Sequence, residues 1–158
     1  MTPRLRKMPT LDKKNILVID NDIDLLEVLH EILTSEGYSV DTAESGRQAV
    51  ERSKTSVYDL ALIDIILSDT EGTKLLDILR EDMPKTIKIM MTGHPTVNNA
   101  IEALSKGASA FITKPIDPEG LLELVKDKLK KREQAENPDQ DQVSQWLEDR
   151  MRSLELVT

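Results

Sequence analysis

Five short apolar runs, each followed by a stretch with helical spacing, divide residues 15 to 132, and this alternation limits the folds open to the chain more than any other feature. The runs predict strands at 16–20, 38–43, 60–64, 87–92 and 110–113. Between the first two, Leu25, Leu29, Ile32 and Leu33 recur at helical spacing and stop before Gly37, a residue suited to ending a helix. The same reasoning predicts helices over 46–56, 73–81, 97–106 and 118–132, the last with Asp117 as N-cap and Pro118 in the first helical position. Strands alternating with helices give a parallel sheet covered on both faces. The first and third strands, ILVID and LALID, are apolar nearly throughout, as interior strands of such a sheet should be. The expected fold class is therefore doubly wound α/β. In such sheets ligands sit beyond the carboxyl ends of the strands, where strand order reverses, so the polar residues closing each strand become the site candidates.

Length and composition narrow the reading further. A chain of 158 residues holds one domain of ordinary size plus a short appendage, and a second large domain does not fit. There is no cysteine, hence no disulfide framework and no thiolate chemistry. No apolar run approaches the ~20 residues that span a bilayer, and the opening MTPRLRKMPTLDKK lacks the apolar core of a signal peptide, so a soluble, cytoplasmic protein without a membrane partner is expected. The formal net charge is -8. Residues 134–158 carry six acids (Glu136, Asp139, Asp141, Glu148, Asp149, Glu155) against Arg150 and Arg152, a net -4. Nucleic-acid binding needs a basic stripe to neutralise phosphates, so direct binding is not expected. Segment 133–142, EQAENPDQDQ, reads as a polar linker containing Pro138. Beyond it Val143, Trp146, Leu147, Met151 and Leu154 are spaced for one face of a short helix. The expected division is a lead over 1–13, a domain over 14–132, a linker over 133–142 and a short amphipathic helix or tail over 143–158.

The strand ends carry the chemistry. The first strand closes on Asp20-Asn21-Asp22, the third on Asp64 and the fourth on Thr92, and the fifth is followed by Lys114-Pro115. Acids, a hydroxyl and an amine thus converge on one sheet edge. Hard cations such as magnesium take oxygen ligands, carboxylates above all, and two carboxylates plus a carbonyl suffice for one. Apposed carboxylates repel, which makes a cation a natural relief. A carboxylate oxygen can attack phosphorus to form an acyl phosphate when cations neutralise the equatorial oxygens, and Lys114 supplies a second positive charge. Thr92 can donate its hydroxyl hydrogen to a phosphoryl oxygen.

At these residues the sequence resembles the receiver domain of bacterial and archaeal response regulators, over roughly residues 14 to 132. The matching segments are ILVIDND, DLALIDIILSDTEG, IKIMMTG and AFITKPID, in the family's order, with Asp64 eight residues before Gly72 and Lys114 twenty-two after Thr92. The resemblance implies a flavodoxin-like five-stranded parallel sheet of order 2-1-3-4-5 and a stand-alone phosphorelay switch without an external substrate. It further implies Asp64 as phosphoacceptor, Asp20 in an acidic magnesium pocket with Asn21, Asp64 and the backbone carbonyl of Ile66, and Thr92 with Lys114 as phosphate-sensing groups. Phe111 falls at the aromatic switch position, Ile66 and His94 at the positions that tune the lifetime of the phosphate, and the Lys114–Pro115 peptide bond is expected to be cis. The implied partners are a sensor histidine kinase or phosphotransfer protein, a downstream effector protein and a second copy of the chain in a homodimer.

Three departures from the family pattern are visible. Asn21 stands where a second acid is usual and offers a carbonyl oxygen but no charge, so weaker magnesium binding is expected than with an acid there. Ser68 stands where proline is common, and Phe111 lacks the hydroxyl of the frequent tyrosine. Each residue also has an ordinary reading. An aspartate closing a strand is most often a turn former or cap, Asp22 and Asp24 suit a helix start, Phe111 suits a core, and His94 suits a loop. Two other functions compete. Asp20-Asn21-Asp22 after an apolar strand also looks like the nucleophile motif of haloacid-dehalogenase-type phosphatases, with Asp20 attacking, although that reading leaves Asp64 idle. A receiver that serves only as a phosphorylation-independent scaffold is the other, motivated by Asn21.

Overall fold

The computed structural model describes residues 13–136 and 140–157. Five parallel strands, β1 (Asn15–Ile19), β2 (Ser39–Ala43), β3 (Leu60–Asp64), β4 (Ile87–Thr92) and β5 (Ala110–Thr113), form one sheet in the order β2-β1-β3-β4-β5. The register sets Ile16 beside both Val40 and Leu60, Asp64 beside Met91, and Thr92 beside Thr113. Interior strands β1, β3 and β4 are buried along almost their whole length, which is why their sequences are mostly apolar, Lys88 in β4 being the exception inside a strand. The core packs Leu17, Ile19 and Ile63 with Leu75, Leu76 and Leu79 of a covering helix.

Helices α1 (Ile23–Ser35), α2 (Gly46–Thr55), α3 (Gly72–Asp82) and α4 (Val97–Ser105) make the four crossovers between successive strands. Their starts follow from local chemistry. Asp22, Ser45 and Thr96 cap α1, α2 and α4, each side-chain oxygen accepting from a backbone N–H three residues on, at 3.1–3.2 Å. Asp22 is thus spent on the cap rather than on the strand-end pocket. Gly37 and Gly107 adopt the left-handed backbone just past α1 and α4, as the spacing at Gly37 predicts. Asp117 accepts from Gly120 N–H at 3.2 Å, the expected start for α5 (Pro118–Glu136).

Two expectations shift. β1 and β2 each begin one residue away from the predicted limit, and Asp20 lies just past β1, although its N–H still donates to Ala43 at 3.1 Å. The polar linker predicted over 133–142 is largely helical: α5 continues through Glu136 and α6 (Gln140–Val157) starts at Gln140, while Pro138 lies outside the described residues. Glu133, Gln134, Ala135 and Glu136 are good helix formers with no glycine or proline among them, and polarity alone does not stop a helix. The lead over 1–13 also lies outside the described residues, Lys13 excepted. The chain divides into a compact unit ending at Glu123 and a second from Leu124 onward. In the second unit α6 carries Val143, Trp146, Leu147 and Met151 exposed on one face, with the Arg150 guanidinium 5.2 Å from the Trp146 ring centroid. Among the described residues no helix is long and apolar enough to cross a membrane.

Glycine at the start of α3 is a steric requirement. A Cβ on Gly72 would overlap the carbonyl oxygen of Asp64 and lie 2.8 Å from the Ile65 Cα, both backbone atoms that cannot swing aside. Gly72→Ala is therefore expected to destabilise by roughly 1–3 kcal/mol or more, the scale of overpacking. A Cβ on Gly93 meets nothing within 4 Å, so Gly93→Ala serves as the control and should stay within about 0.5 kcal/mol of the native chain. Urea denaturation of the two variants checks this; equal midpoints would show that α3 is free to move back.

Candidate functional site

In this strand order the direction of winding reverses between β1 and β3, and the residues that close those two strands face the crevice so formed. Asp20 follows β1 and is completely buried, and Asp64 closes β3 with only 5% of its surface exposed. Two buried acids on adjacent strands would be costly without a cation. Lys114 provides it: its Nζ lies 2.7 Å from Asp20 Oδ2 and 3.4 Å from Asp64 Oδ2. The ammonium is carried in by the loop after β5, where the Lys114–Pro115 bond is cis and the Lys114 N–H donates to the Thr92 carbonyl at 2.7 Å.

The remaining bonds distinguish the two acids. Asp20 Oδ1 accepts from Asp22 N–H at 2.9 Å, so both of its oxygens are held. Asp64 Oδ1 has only a longer bond from Ile66 N–H, 3.3 Å, and its Oδ2 sits at the long side of the Lys114 ion pair. Burial raises the Asp64 pKa and the Asp20 charge raises it further, overcoming the opposing pull of Lys114 and the Ile66 N–H. Burial works against the Lys114 ammonium, but Asp20 and Asp64 outweigh it, and its pKa lies above the usual lysine value.

Thr92, 1% exposed, ends β4 with its Oγ1 accepting from His94 N–H at 3.0 Å, which leaves the hydroxyl hydrogen for another acceptor. Phe111 on β5 is partly buried against the core cluster. Asn21 is exposed directly after Asp20, His94 is exposed in the loop after β4, and the Ile66 side chain is 59% exposed two residues beyond Asp64. Asp20, Asp64, Thr92 and Lys114 therefore share one sheet edge, with Asn21, Ile66 and His94 on the loops that leave it.

The donor set is made of hard oxygens. Among the described residues no three His, Cys, Asp or Glu side chains gather into a metal-holding group. Two carboxylates, the Asn21 amide and the Ile66 carbonyl still fit magnesium, which binds through one or two carboxylates and keeps several waters. Two residues that the strand-end reasoning passed over also matter here. Asp69 accepts two N–H groups from the start of α2, and Lys88 is buried inside β4 with its ammonium on the carbonyls of Met83 and Thr86 at 2.6 and 2.9 Å. Asp69 gives no local signal, because its partners are more than twenty positions away; a lysine inside the run IKIMMT is the one trace of Lys88.

A buried acid pair bridged by a lysine at the edge of a 2-1-3-4-5 sheet places the chain in a known class. The response regulator receiver domain family matches residues 16–126, and the chain belongs to that family, whose members are modules of phosphorylation-based two-component signalling. It is 37% identical over 112 residues to the transcriptional regulatory protein ZraR of Escherichia coli K12, an alignment covering 71% of this chain and 25% of that protein. The chain thus spans about a quarter of the length of such curated relatives. Among solved structures it is similar to a CheY-like response regulator receiver domain protein from Methanospirillum hungatei, with 38% identity, a TM-score of 0.76, and coverage of 78% of this chain and 99% of that one. It is also similar, at 26% identity and a TM-score of 0.68, to a Burkholderia pseudomallei response regulator solved with a phosphorylated aspartic acid, a calcium ion and citrate, covering 80% of this chain and 76% of that one.

The raised Asp64 pKa has a consequence for stability. A group whose folded pKa is raised contributes stability while protonated, below its ordinary value of 3.8, and that contribution is lost as pH rises through the folded value. At pH 7 ionised Asp64 therefore weakens the fold. In magnesium-free buffer Asp64→Asn should melt at a higher temperature than the native chain at pH 7, the gap closing toward pH 3. A lower or equal melting temperature at pH 7 would mean that Lys114 already compensates the charge in full.

Proposed function

We propose that this chain is a magnesium-dependent phosphoryl switch in which Asp64 is the phosphoacceptor, supplied by a histidine kinase or phosphotransfer protein. The observation that carries the reading is the contrast between the two buried acids. Asp20 has both oxygens engaged and is placed as a fixed charge, whereas Asp64 keeps an oxygen with only a long contact to Lys114, at the crevice where the strand order reverses. That contrast also disfavours the phosphatase reading, in which Asp20 attacks.

In the forward step an Asp64 oxygen attacks phosphorus, the bond from phosphorus to the donor nitrogen breaks, and the imidazole leaves with a proton from solvent. Lys114 neutralises charge on the transferred group, and Thr92 donates its hydroxyl hydrogen to a phosphoryl oxygen. Asp20, Asn21, Asp64 and the Ile66 carbonyl are the residues that would hold magnesium, which when bound there neutralises the phosphoryl oxygens. The calcium ion and phosphorylated aspartate of the Burkholderia relative support the same use of the edge. Return to the resting state needs a water in line with phosphorus. Ile66 offers that water no hydrogen bond, and His94 is the neighbouring group able to orient it, so a long-lived phosphate is expected.

Output follows from the hydroxyl. Drawing Thr92 toward a phosphate vacates space beside β4 and favours an inward Phe111, which changes the surface of α4, β5 and the start of α5. That surface is read by an effector protein or a second copy, in a cytoplasmic module of residues 14–132 that needs neither nucleic acid nor membrane.

Incubation with acetyl phosphate and magnesium followed by intact mass measurement tests the core of this reading: the native chain gains one phosphoryl group and Asp64→Asn gains none. Absence of a mass gain in the native chain would favour the scaffold reading, and a gain that survives in Asp64→Asn would move the acceptor elsewhere. Thr92→Ala should still accept phosphate but show little of the phosphorylation-induced change in NMR shifts along β5. A full response in that variant would remove Thr92 from the coupling.

A further inference from the structure

The loop between β3 and α3 is held at both ends by different means. At its base, the Ile65 carbonyl accepts the Gly72 N–H, Ile66 pairs with Glu71 in an antiparallel bridge, and Ile66 N–H donates to Asp64. At its tip, Leu67 N–H donates to the Thr70 carbonyl at 3.1 Å, turning the chain tightly around Ser68 and Asp69. The Asp69 carboxylate leaves this turn and grips the first turn of α2: Oδ1 accepts from Gly46 N–H at 2.9 Å and Oδ2 from Arg47 N–H at 3.0 Å. We propose that Asp69 is a positioning residue of the phosphoacceptor site, fixing the loop tip against α2 and through it the place of Ile66 beside Asp64. This rests on the reading of Asp64 as the phosphoacceptor.

Two features make the grip more than an incidental cap. Helix α2 already has a cap in Ser45, which takes the Gln48 N–H, so Asp69 satisfies the two preceding amides that α2 itself leaves without acceptors. Because the two oxygens take neighbouring amides, the carboxylate has one distance and one orientation. The approach is also close: a Cβ on Gly46 would stand 2.5 Å from Thr70 Cγ2, so the Thr70 side chain or the loop tip would have to shift. The Gly46 and Arg47 N–H groups hold the Asp69 carboxyl below the usual aspartate range, so it is ionised throughout the neutral range.

Ile66 is where this placement has its effect. Its N–H bonds the Asp64 carboxylate, its carbonyl is the one proposed above for magnesium, and its exposed side chain projects two residues beyond Asp64. Three contributions on one residue move together when the loop moves, and groups that hold a metal ligand in place affect affinity strongly even without touching the metal.

The test compares the full native chain with Asp69→Ala, Asp69→Asn and Gly46→Ala. The magnesium concentration for half-maximal phosphorylation by acetyl phosphate should rise roughly tenfold in Asp69→Ala, the scale on which such supporting groups act. The shift should be smaller in Asp69→Asn, which keeps one acceptor oxygen, and Gly46→Ala, which pushes the tip away, should behave like Asp69→Ala. In magnesium-free protein the Ile66 amide should exchange faster in both alanine variants. Native magnesium dependence together with an unchanged Ile66 amide, while the Gly46 and Arg47 amides lose protection, would overturn the proposal and leave Asp69 as a helix cap alone. If the native chain takes no phosphate, the phosphoacceptor reading fails on its own, and the Ile66 amide still decides whether the clamp reaches the site.

Discussion

Two carboxylates forced together at the edge of a parallel sheet, and the single lysine that reconciles them, are the constraint around which the rest is arranged. Asp20 is buried without remainder, and its charge is tolerable because Lys114 reaches it at 2.7 Å from ninety-four positions away. That contact joins the loop after the first strand to the loop after the last, across β3 and β4. The geometry of the edge is therefore held together by the strands that lie between these two loops. The same geometry leaves Asp64 the less satisfied acid, with its pKa raised by burial and by Asp20. A carboxylate kept in that condition gains from a cation beside it.

The opposite edge of the sheet is built on another principle. There Thr86 Oγ1 donates to the Tyr58 carbonyl at 2.6 Å, the Asn15 N–H donates to Asp59 at 2.8 Å, and the Lys88 ammonium closes the end of α3 by donating to Met83 and Thr86 carbonyls. The Tyr58 hydroxyl donates to Asp41 at 2.6 Å, and burial followed by that bond pushes its pKa up to about 12. The polar groups named here are satisfied by bonds of 2.6–2.9 Å within the fold. Burial lowers the Lys88 pKa, but its two carbonyl acceptors make it a structural cation, unlike Lys114, whose partners are themselves acids. The division of one sheet into a satisfied edge and a strained one is what directs chemistry to the carboxyl ends of the strands.

Close backbone approach completes the strained edge. Gly72 lets α3 start against the Asp64 carbonyl at the end of β3, and Gly46 lets the β3–α3 loop rest on α2. Neither position demands an unusual backbone angle; a Cβ would overlap backbone at Gly72 and press on the Thr70 side chain at Gly46. Rigid neighbours on two sides leave the loop little freedom except through its hydrogen bonds, which is why one carboxylate at its tip carries weight.

Much of this was legible in the residue order because the causes are local. Strand limits at β3, β4 and β5 follow from apolar runs bounded by polar or turn residues, and caps at Asp22 and Asp117 follow from side chains that meet backbone amides three residues on. The site acids, Thr92 and Lys114 could be picked out because a doubly wound sheet must bring its strand ends to one edge. Local reasoning failed where polarity was mistaken for irregularity, as at 133–136, since a helix is ended by backbone chemistry and not by hydrophilic side chains. It also failed at Lys88 and Asp69, whose roles depend on partners supplied by other elements. Periodicity and capping act within a few positions, so the order of residues is enough to specify the alternation of elements, the parallel sheet and the residues at its edge. Which of the two buried acids is held at both oxygens and which is held loosely is set by hydrogen bonds and ion-pair distances between segments far apart in the chain, and these arise only on packing.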